Sequence, residues 1–283
     1  MVIEQDVKLN DGRTLRTYDS GGGHGSGGDA FTVVWHHGSP QTGALLEPLL
    51  TAAAARGIRL VSYGRPSYGG SSPLPGRNVA AAADDVARIA DALGVGSFAV
   101  MGASGGGPHA LACAALLPDR VTGAVCLAGI APYTDDFDWY EGMASPGGLR
   151  AAADGREARA LYAETDEFDP ASFVSADFAA LAGEWASLGA DAVKAGQAGA
   201  DGQIDDDVAF ATAWGFDLSE VAAPVLLAQG SLDRVVPPAH AGSMLAALPH
   251  AELWVRPEDG HVSVLGVCPS AMDWLLARGE ILT

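Results

Sequence analysis

Gly102-Ala103-Ser104-Gly105-Gly106 fits the pattern G-x-S-x-G, and its flanks say more than its letters. The apolar stretch SFAVM runs into it and PHALACAALL follows. A serine on a sharp strand-to-helix turn holds its hydroxyl at the C-terminal edge of a sheet, and small neighbours relieve the crowding there. The helix that starts at the same point aims its free N–H groups and positive end at the hydroxyl, which favours a developing oxyanion. As bare letters the motif also fits a glycine-rich turn whose serine merely caps a helix.

Serine attacks well only beside a base, and the base needs an orienting acid. Downstream, PVLLAQ ends in Gly230-Ser231-Leu232-Asp233, and ELWV leads through RPEDG to His261. Singly, Asp233 reads as a turn aspartate and His261 as a loop histidine. Together with Ser104, all three fall just past strand ends, in a known chain order of nucleophile, acid and base. Upstream, FTVVW leads into His36-His37-Gly38-Ser39-Pro40. The N–H groups of Ser39 and Gly105 are therefore the candidate oxyanion donors.

No metal is expected. His36 and His37 are neighbours on a strand and point to opposite faces, and no third ligand lies near. His109 reads as a packing residue; His24, His240 and His250 carry no argument. The three cysteines, Cys113, Cys126 and Cys268, match neither a zinc spacing nor a disulfide framework. They fit a reducing, cytoplasmic setting.

These residues need a frame. Val7–Leu9 and Leu15–Tyr18 flank the Asn10-Asp11-Gly12 turn as a hairpin. Ser20–Ala30 holds six glycines and reads as a surface loop; no helix follows it, so it does not resemble a phosphate-binding turn. Strands are then expected at 31–35, 58–63, 98–102 and 121–128, alternating with helices at 43–56, 79–93 and 108–117. Continuous apolar strands between amphipathic helices indicate a parallel sheet covered on both faces. The alternation stops over 131–216, where the clearest helix spans 173–188. It resumes with strands at 225–229 and 252–255 and helices at 238–248 and 269–278. The division expected is a core of 1–130 and 217–283 with a helical cap inserted at 131–216.

The chain has 283 residues, 48% hydrophobic and 18% charged, which excludes a disordered chain. Its 16 basic and 35 acidic residues leave −19, so nucleic acid and anionic membrane are poor partners. The longest apolar run, Ala110–Leu117, falls short of the ~18 residues of a membrane span. The first fifteen residues lack a basic and an apolar region, so no signal peptide is expected. Within 131–216 lie 17 acids, 4 bases and 12 of the 20 aromatics. Aromatic walls under acidic charge predict a small-molecule substrate, neutral or cationic, with a hydrophobic part. Trp139, Tyr140, Trp185 and Trp214 are the pocket candidates.

HHGSP at 36–40, YGRPSYGGSS at 63–72, GASGG at 102–106, GSLDRVVP at 230–237 and DGH at 259–261 together resemble the α/β-hydrolase superfamily with a helical cap. The resemblance implies an α/β fold with a mostly parallel sheet and an esterase-like serine hydrolase without a cofactor. It implies Ser104 as nucleophile, Asp233 as acid, His261 as base, and Ser39 and Gly105 as oxyanion donors. A serine in the elbow argues against the epoxide hydrolase and haloalkane dehalogenase branches, which carry aspartate there. The second loop departs from the usual Asp-Arg-Pro-Gly-Tyr-Gly, reading Gly64-Arg65-Pro66-Ser67-Tyr68-Gly69; local change is expected there. Two readings of another class stay open: an amide hydrolase resembling proline iminopeptidases, and a ligand-binding protein that kept the fold.

Overall fold

The structure, a computed structural model, describes residues 1–22 and 30–279. Most of the glycine-rich stretch, with His24, lies outside the described residues. The hairpin is β1 (Ile3–Lys8) and β2 (Thr14–Asp19), paired antiparallel. The strand–helix alternation follows as β3 (Thr32–His36), α1 (Glu47–Ala54), β4 (Arg59–Tyr63), α2 (Ala81–Ala92), β5 (Phe98–Ala103), α3 (Gly106–Leu116) and β6 (Val121–Leu127). Five helices come next: α4 (Gly147–Ala153), α5 (Arg156–Ala163), α6 (Ser175–Ala182), α7 (Ala186–Gln197) and α8 (Asp201–Ala211). The chain then returns to the sheet with β7 (Val225–Gly230), α9 (Pro238–Ala247), β8 (Ala251–Arg256) and α10 (Cys268–Gly279).

Among the described residues, eight strands form one sheet in the order β1-β2-β4-β3-β5-β6-β7-β8. From β4 to β8 every pairing is parallel. Alternate residues of each central strand enter opposite cores, as the two-residue period requires. Val34 and Val100 pack with α2 and α3, while Val33, Trp35, Ala99 and Met101 pack with α1 and α10. The chain passes from β3 to β4 on one side and returns to β5 on the other. Loops leaving β3 and β5 therefore diverge at the carboxyl edge, where open α/β sheets bind ligands. The register sets His36 of β3 opposite Gly102 of β5, which brings the HHGSP loop beside the serine turn.

Two helices differ from expectation. α1 begins at Glu47, not residue 43, because Pro48 occupies its first turn and Gly43 turns with φ +91°. A side chain at Gly43 would run into the backbone of Tyr63 and Gly64. The helix expected over 173–188 is two: α6 ends at Ala182, before Gly183, and α7 restarts after Trp185, which is buried.

Candidate active site

Ser104 sits in the left-handed region at φ 53°, on the turn between β5 and α3. That conformation strains a residue bearing a side chain, and the surroundings hold it. The Ser104 N–H donates to the Leu127 carbonyl of β6 at 2.8 Å, and its own carbonyl accepts from the Gly107 N–H at 2.9 Å. The turn is so tight that a Cβ at Gly102 would run into the Gly106 carbonyl.

Asp233 and His261 arrive on loops that are tied together. The Ser231 and Leu232 N–H groups donate to the carbonyls of Arg256 and Asp259, both at 2.9 Å. Asp233 is buried, and its Oδ1 accepts the Val235 and Val236 N–H groups at 2.9 Å each. Its Oδ2 lies 2.8 Å from His261 Nδ1, and His261 Nε2 lies 2.9 Å from Ser104 Oγ. With imidazole neutral, Nδ1–H donates to the carboxylate and Nε2 accepts from the serine hydroxyl. Such a series can take the proton of an attacking hydroxyl and stabilise the imidazolium that results. Burial pulls the His261 pKa down, but the charge and hydrogen bond of Asp233 and the charge of Asp177 outweigh it. The imidazole titrates above its ordinary 6.5.

Gly105 and Ser39 face each other across the serine. A Cβ at Gly105 would press on Ser39 Oγ and the Phe210 ring, so glycine is the residue that fits. Among the described residues, neither the Ser39 nor the Gly105 backbone N–H has a protein acceptor, as a site for an incoming oxyanion requires. The adjacent histidines point apart and have different partners. His37 donates from Nδ1 to the Gly38 carbonyl at 2.7 Å and accepts the Arg65 N–H at Nε2, 3.1 Å. His36 stacks on His109 at a centroid distance of 6.5 Å. Burial, with the charge of Arg65, lowers His36 to about 3, so it is neutral.

The residues that sequence reading missed are charged and buried. Asp206 of α8 receives Arg65 at 2.6 Å, Arg77 at 2.7 Å, Ser39 Oγ at 2.5 Å and Tyr68 Oη at 2.9 Å. Burial alone would raise its pKa; Arg65 and Arg77 outweigh it and hold the carboxyl well below 3.8. The departing loop at 64–69 thus supplies the partner of a carboxylate from the inserted segment. Asp191 of α7 accepts the Thr42 N–H at 2.8 Å and its hydroxyl at 2.5 Å. Asp177 of α6 accepts the N–H groups of Val262 and Ser263, both at 2.8 Å. Five of the segment's 17 acids are buried: Asp177, Asp191, Asp205, Asp206 and Asp207. That part of the segment's negative charge is therefore withdrawn from its surface. His240, which carried no argument in the sequence, is also buried. It accepts the Ala131 N–H at Nδ1, 3.1 Å, and donates from Nε2 to the Trp139 carbonyl at 2.9 Å.

Ser104, Ser39, Gly105 and His261 open onto a cavity of about 870 Å³. Its walls come from both regions: Trp35, Ile130 and Leu265 from the sheet side, Phe168, Phe173, Trp185 and Phe210 from the segment. Of the four aromatics expected there, Trp185 lines it. Trp139 and Trp214 are buried elsewhere in the core, and Tyr140 packs on Arg150. None of the four lies within a helix, since Trp139 and Tyr140 precede α4, Trp185 separates α6 from α7 and Trp214 follows α8, so periodicity had no means of choosing between them. Polar groups break the wall at Arg159, Asp166, Gln203 and Asp207. Arg159 holds Asp207 at 2.7 Å, while burial pushes the Asp207 pKa up to about 6.

Residues 32–266 match the family model described as the alpha/beta hydrolase fold. The chain belongs to the alpha/beta hydrolase fold family. It is 28% identical to a non-heme chloroperoxidase of Streptomyces lividans, over 81% of this chain and 88% of that one. Among solved structures it is similar to an enol-lactonase from Burkholderia xenovorans LB400, with TM-score 0.74 and 18% identity over 98% and 100% of the two chains. An esterase from Exiguobacterium antarcticum, EaEST, gives TM-score 0.72 and 19% identity over 97% and 100%. Proteins with such different names share one fold, so the fold does not choose the reaction.

Proposed function

We propose that the protein is a serine hydrolase that cleaves an ester or related activated carbonyl compound through an acyl-enzyme. The observation that carries this reading is the Ser104–His261–Asp233 series, hydrogen-bonded at 2.9 and 2.8 Å and open to the cavity. In this reading Ser104 Oγ attacks the carbonyl carbon while His261 Nε2 takes its proton. Asp233 keeps the proton on Nδ1 and stabilises the imidazolium. The Ser39 and Gly105 N–H groups receive the oxyanion. His261 then protonates the leaving alcohol, and water, deprotonated by the same imidazole, releases the acid. No step calls for a metal or cofactor.

Residues 131–216 act as a cap on a core formed by 1–130 and 217–283. The substrate is a small molecule with a sizeable hydrophobic part, since apolar side chains make most of the cavity wall. Neutral or cationic esters are preferred over anionic ones, because Asp166, Glu167 and Asp169 line the cavity beside Phe168. The same acids favour a second reading, an amide hydrolase that holds a substrate's free amine. A cytoplasmic setting belongs to the proposal, motivated by three buried, unpaired cysteines, and cell fractionation tests it. Fluorophosphonate labelling followed by an acyl-chain ester panel tests the main reading. Labelling at Ser104 with ester turnover supports it. Turnover of aminoacyl arylamides in preference to aryl esters moves it to the second. Tight ligand retention without labelling or turnover points to a binding protein instead.

A further inference from the structure

The proposed base has a second acid behind it, one that comes from the inserted segment. Asp177 is fully buried on α6, and no residue near it in sequence belongs to the sheet edge. Its Oδ1 accepts the Val262 N–H, the Ser263 N–H and the Ser263 hydroxyl at 2.8, 2.8 and 2.9 Å. Its Oδ2 accepts the His261 N–H at 3.2 Å and the Val174 N–H at 3.1 Å. Ser263 Oγ in turn accepts the Gly260 N–H at 2.8 Å. A Cβ at Gly260 would collide with the Asp177 carboxylate, so the loop lies directly on it. Five donors around one buried carboxylate is more than a helix cap needs, and four of them belong to the loop that carries His261. Charge-assisted bonds of this kind are about twice as strong as neutral ones.

We propose that Asp177 is a positioning residue that latches the inserted segment to the His261 loop, placing the imidazole for Ser104 and supporting its positive charge. This deepens the serine hydrolase reading and rests on it. Asp177 touches neither substrate nor the reacting atoms; it acts through His261. The other groups around the imidazole are Asp233 from the loop after β7 and Ser104 from the turn after β5. Arg234 lines the same cavity, and Asp259, two residues upstream, is paired with Arg256 at 2.9 Å. Asp233 holds the ring; Asp177 holds the backbone under it. A segment that moved away as a unit would carry this anchor with it. Productive histidine geometry thus depends on the segment's being seated.

The test compares wild type with Asp177→Asn and Ser263→Ala in the full chain. Asn keeps one acceptor, loses the charge, and turns an NH₂ group toward either its Val174 and His261 donors or its Val262 and Ser263 donors. The expected result is a plateau of kcat/KM lowered by about 10²-fold, the scale for a misplaced catalytic group. Its rising pH limb moves to lower pH, since removing a negative neighbour weakens the imidazolium. The His261 titration followed by ¹⁵N NMR moves the same way without any substrate. Ser263→Ala keeps the charge and drops one donor; it leaves the titration in place and lowers the plateau by about 2- to 10-fold. A lowered melting temperature with an unmoved His261 titration and plateau in both variants overturns the latch. If Asp177→Asn fails to fold, an undiminished plateau in Ser263→Ala overturns it alone. Failure of the hydrolase reading shows differently: turnover survives Ser104→Ala, while the NMR titration still reports on Asp177.

Discussion

The carboxyl edge of the sheet and the inserted helices of 131–216 build one cavity by opposite routes. At the edge, each candidate side chain sits in a short pattern that dictates its own conformation. Ser104 takes a left-handed backbone because a strand must turn into a helix within a few residues, and Gly102 and Gly106 permit it. In the segment no such pattern exists. Asp177, Asp191 and Asp206 are ordinary acids on amphipathic helices, indistinguishable by sequence from exposed acids such as Glu157 or Asp201. Their function follows from what lies opposite: the His261 loop, Thr42, and the Arg65–Arg77 pair with Ser39. A motif carries its chemistry with it, whereas a clamp is defined by its partner.

The sharpest way to break this contrast is at the edge itself. Ser104→Ala should lower kcat by roughly 10³- to 10⁶-fold in a folded protein, leaving residual catalysis from binding and the oxyanion donors. Undiminished ester turnover there removes the edge from the chemistry. For the segment, the largest effect is on stability. Asp206→Asn should cost about 3–5 kcal/mol in urea unfolding, because two buried guanidinium groups lose their counter-charge. A change below about 1 kcal/mol would make Asp206 a bystander. Its pKa is lower folded than unfolded, so this stabilisation is present above about 3.8 and lost as pH falls through the folded value.

The pH profile tests how the two regions meet at His261. The proposed base must be neutral to accept the serine proton, and the folded pKa of His261 lies above 6.5. The rising limb of kcat/KM between pH 5 and 9 should therefore have its midpoint above 6.5; a midpoint at or below that value contradicts the paired geometry. The smallest effect separates the cavity wall from the core. Phe168 lines the cavity and is 63% exposed, so Phe168→Ala should change selectivity between short and long acyl esters by about tenfold or less, with stability unchanged. Trp139→Ala should do the reverse, costing about 3–5 kcal/mol and leaving selectivity alone. Equal selectivity changes in both would erase the distinction.

The strands, their mostly parallel order and the position of Ser104 were legible in the sequence because each is a local consequence. Apolar runs of five to seven residues alternating with amphipathic helical stretches fit a sheet covered on both faces, and a G-x-S-x-G between strand and helix fits a tight turn that exposes its serine. Chain order also put Asp233 and His261 past strand ends, on the serine's edge of the sheet. What the tertiary structure alone decided is which acids are buried and which aromatics face the cavity. The residue type tells that Trp139, Trp185 and Trp214 are large apolar groups to be covered, but not whether each meets a core or a void. Likewise, 17 acids against 4 bases predicted a charged surface, yet cations or N–H groups around a buried carboxylate favour its charged form, as Arg65 and Arg77 do for Asp206. Those partners stand 84 to 167 residues away in the chain, at His261 and Ser39 among others, and only the packed fold brings them within 3 Å or so of the carboxylates.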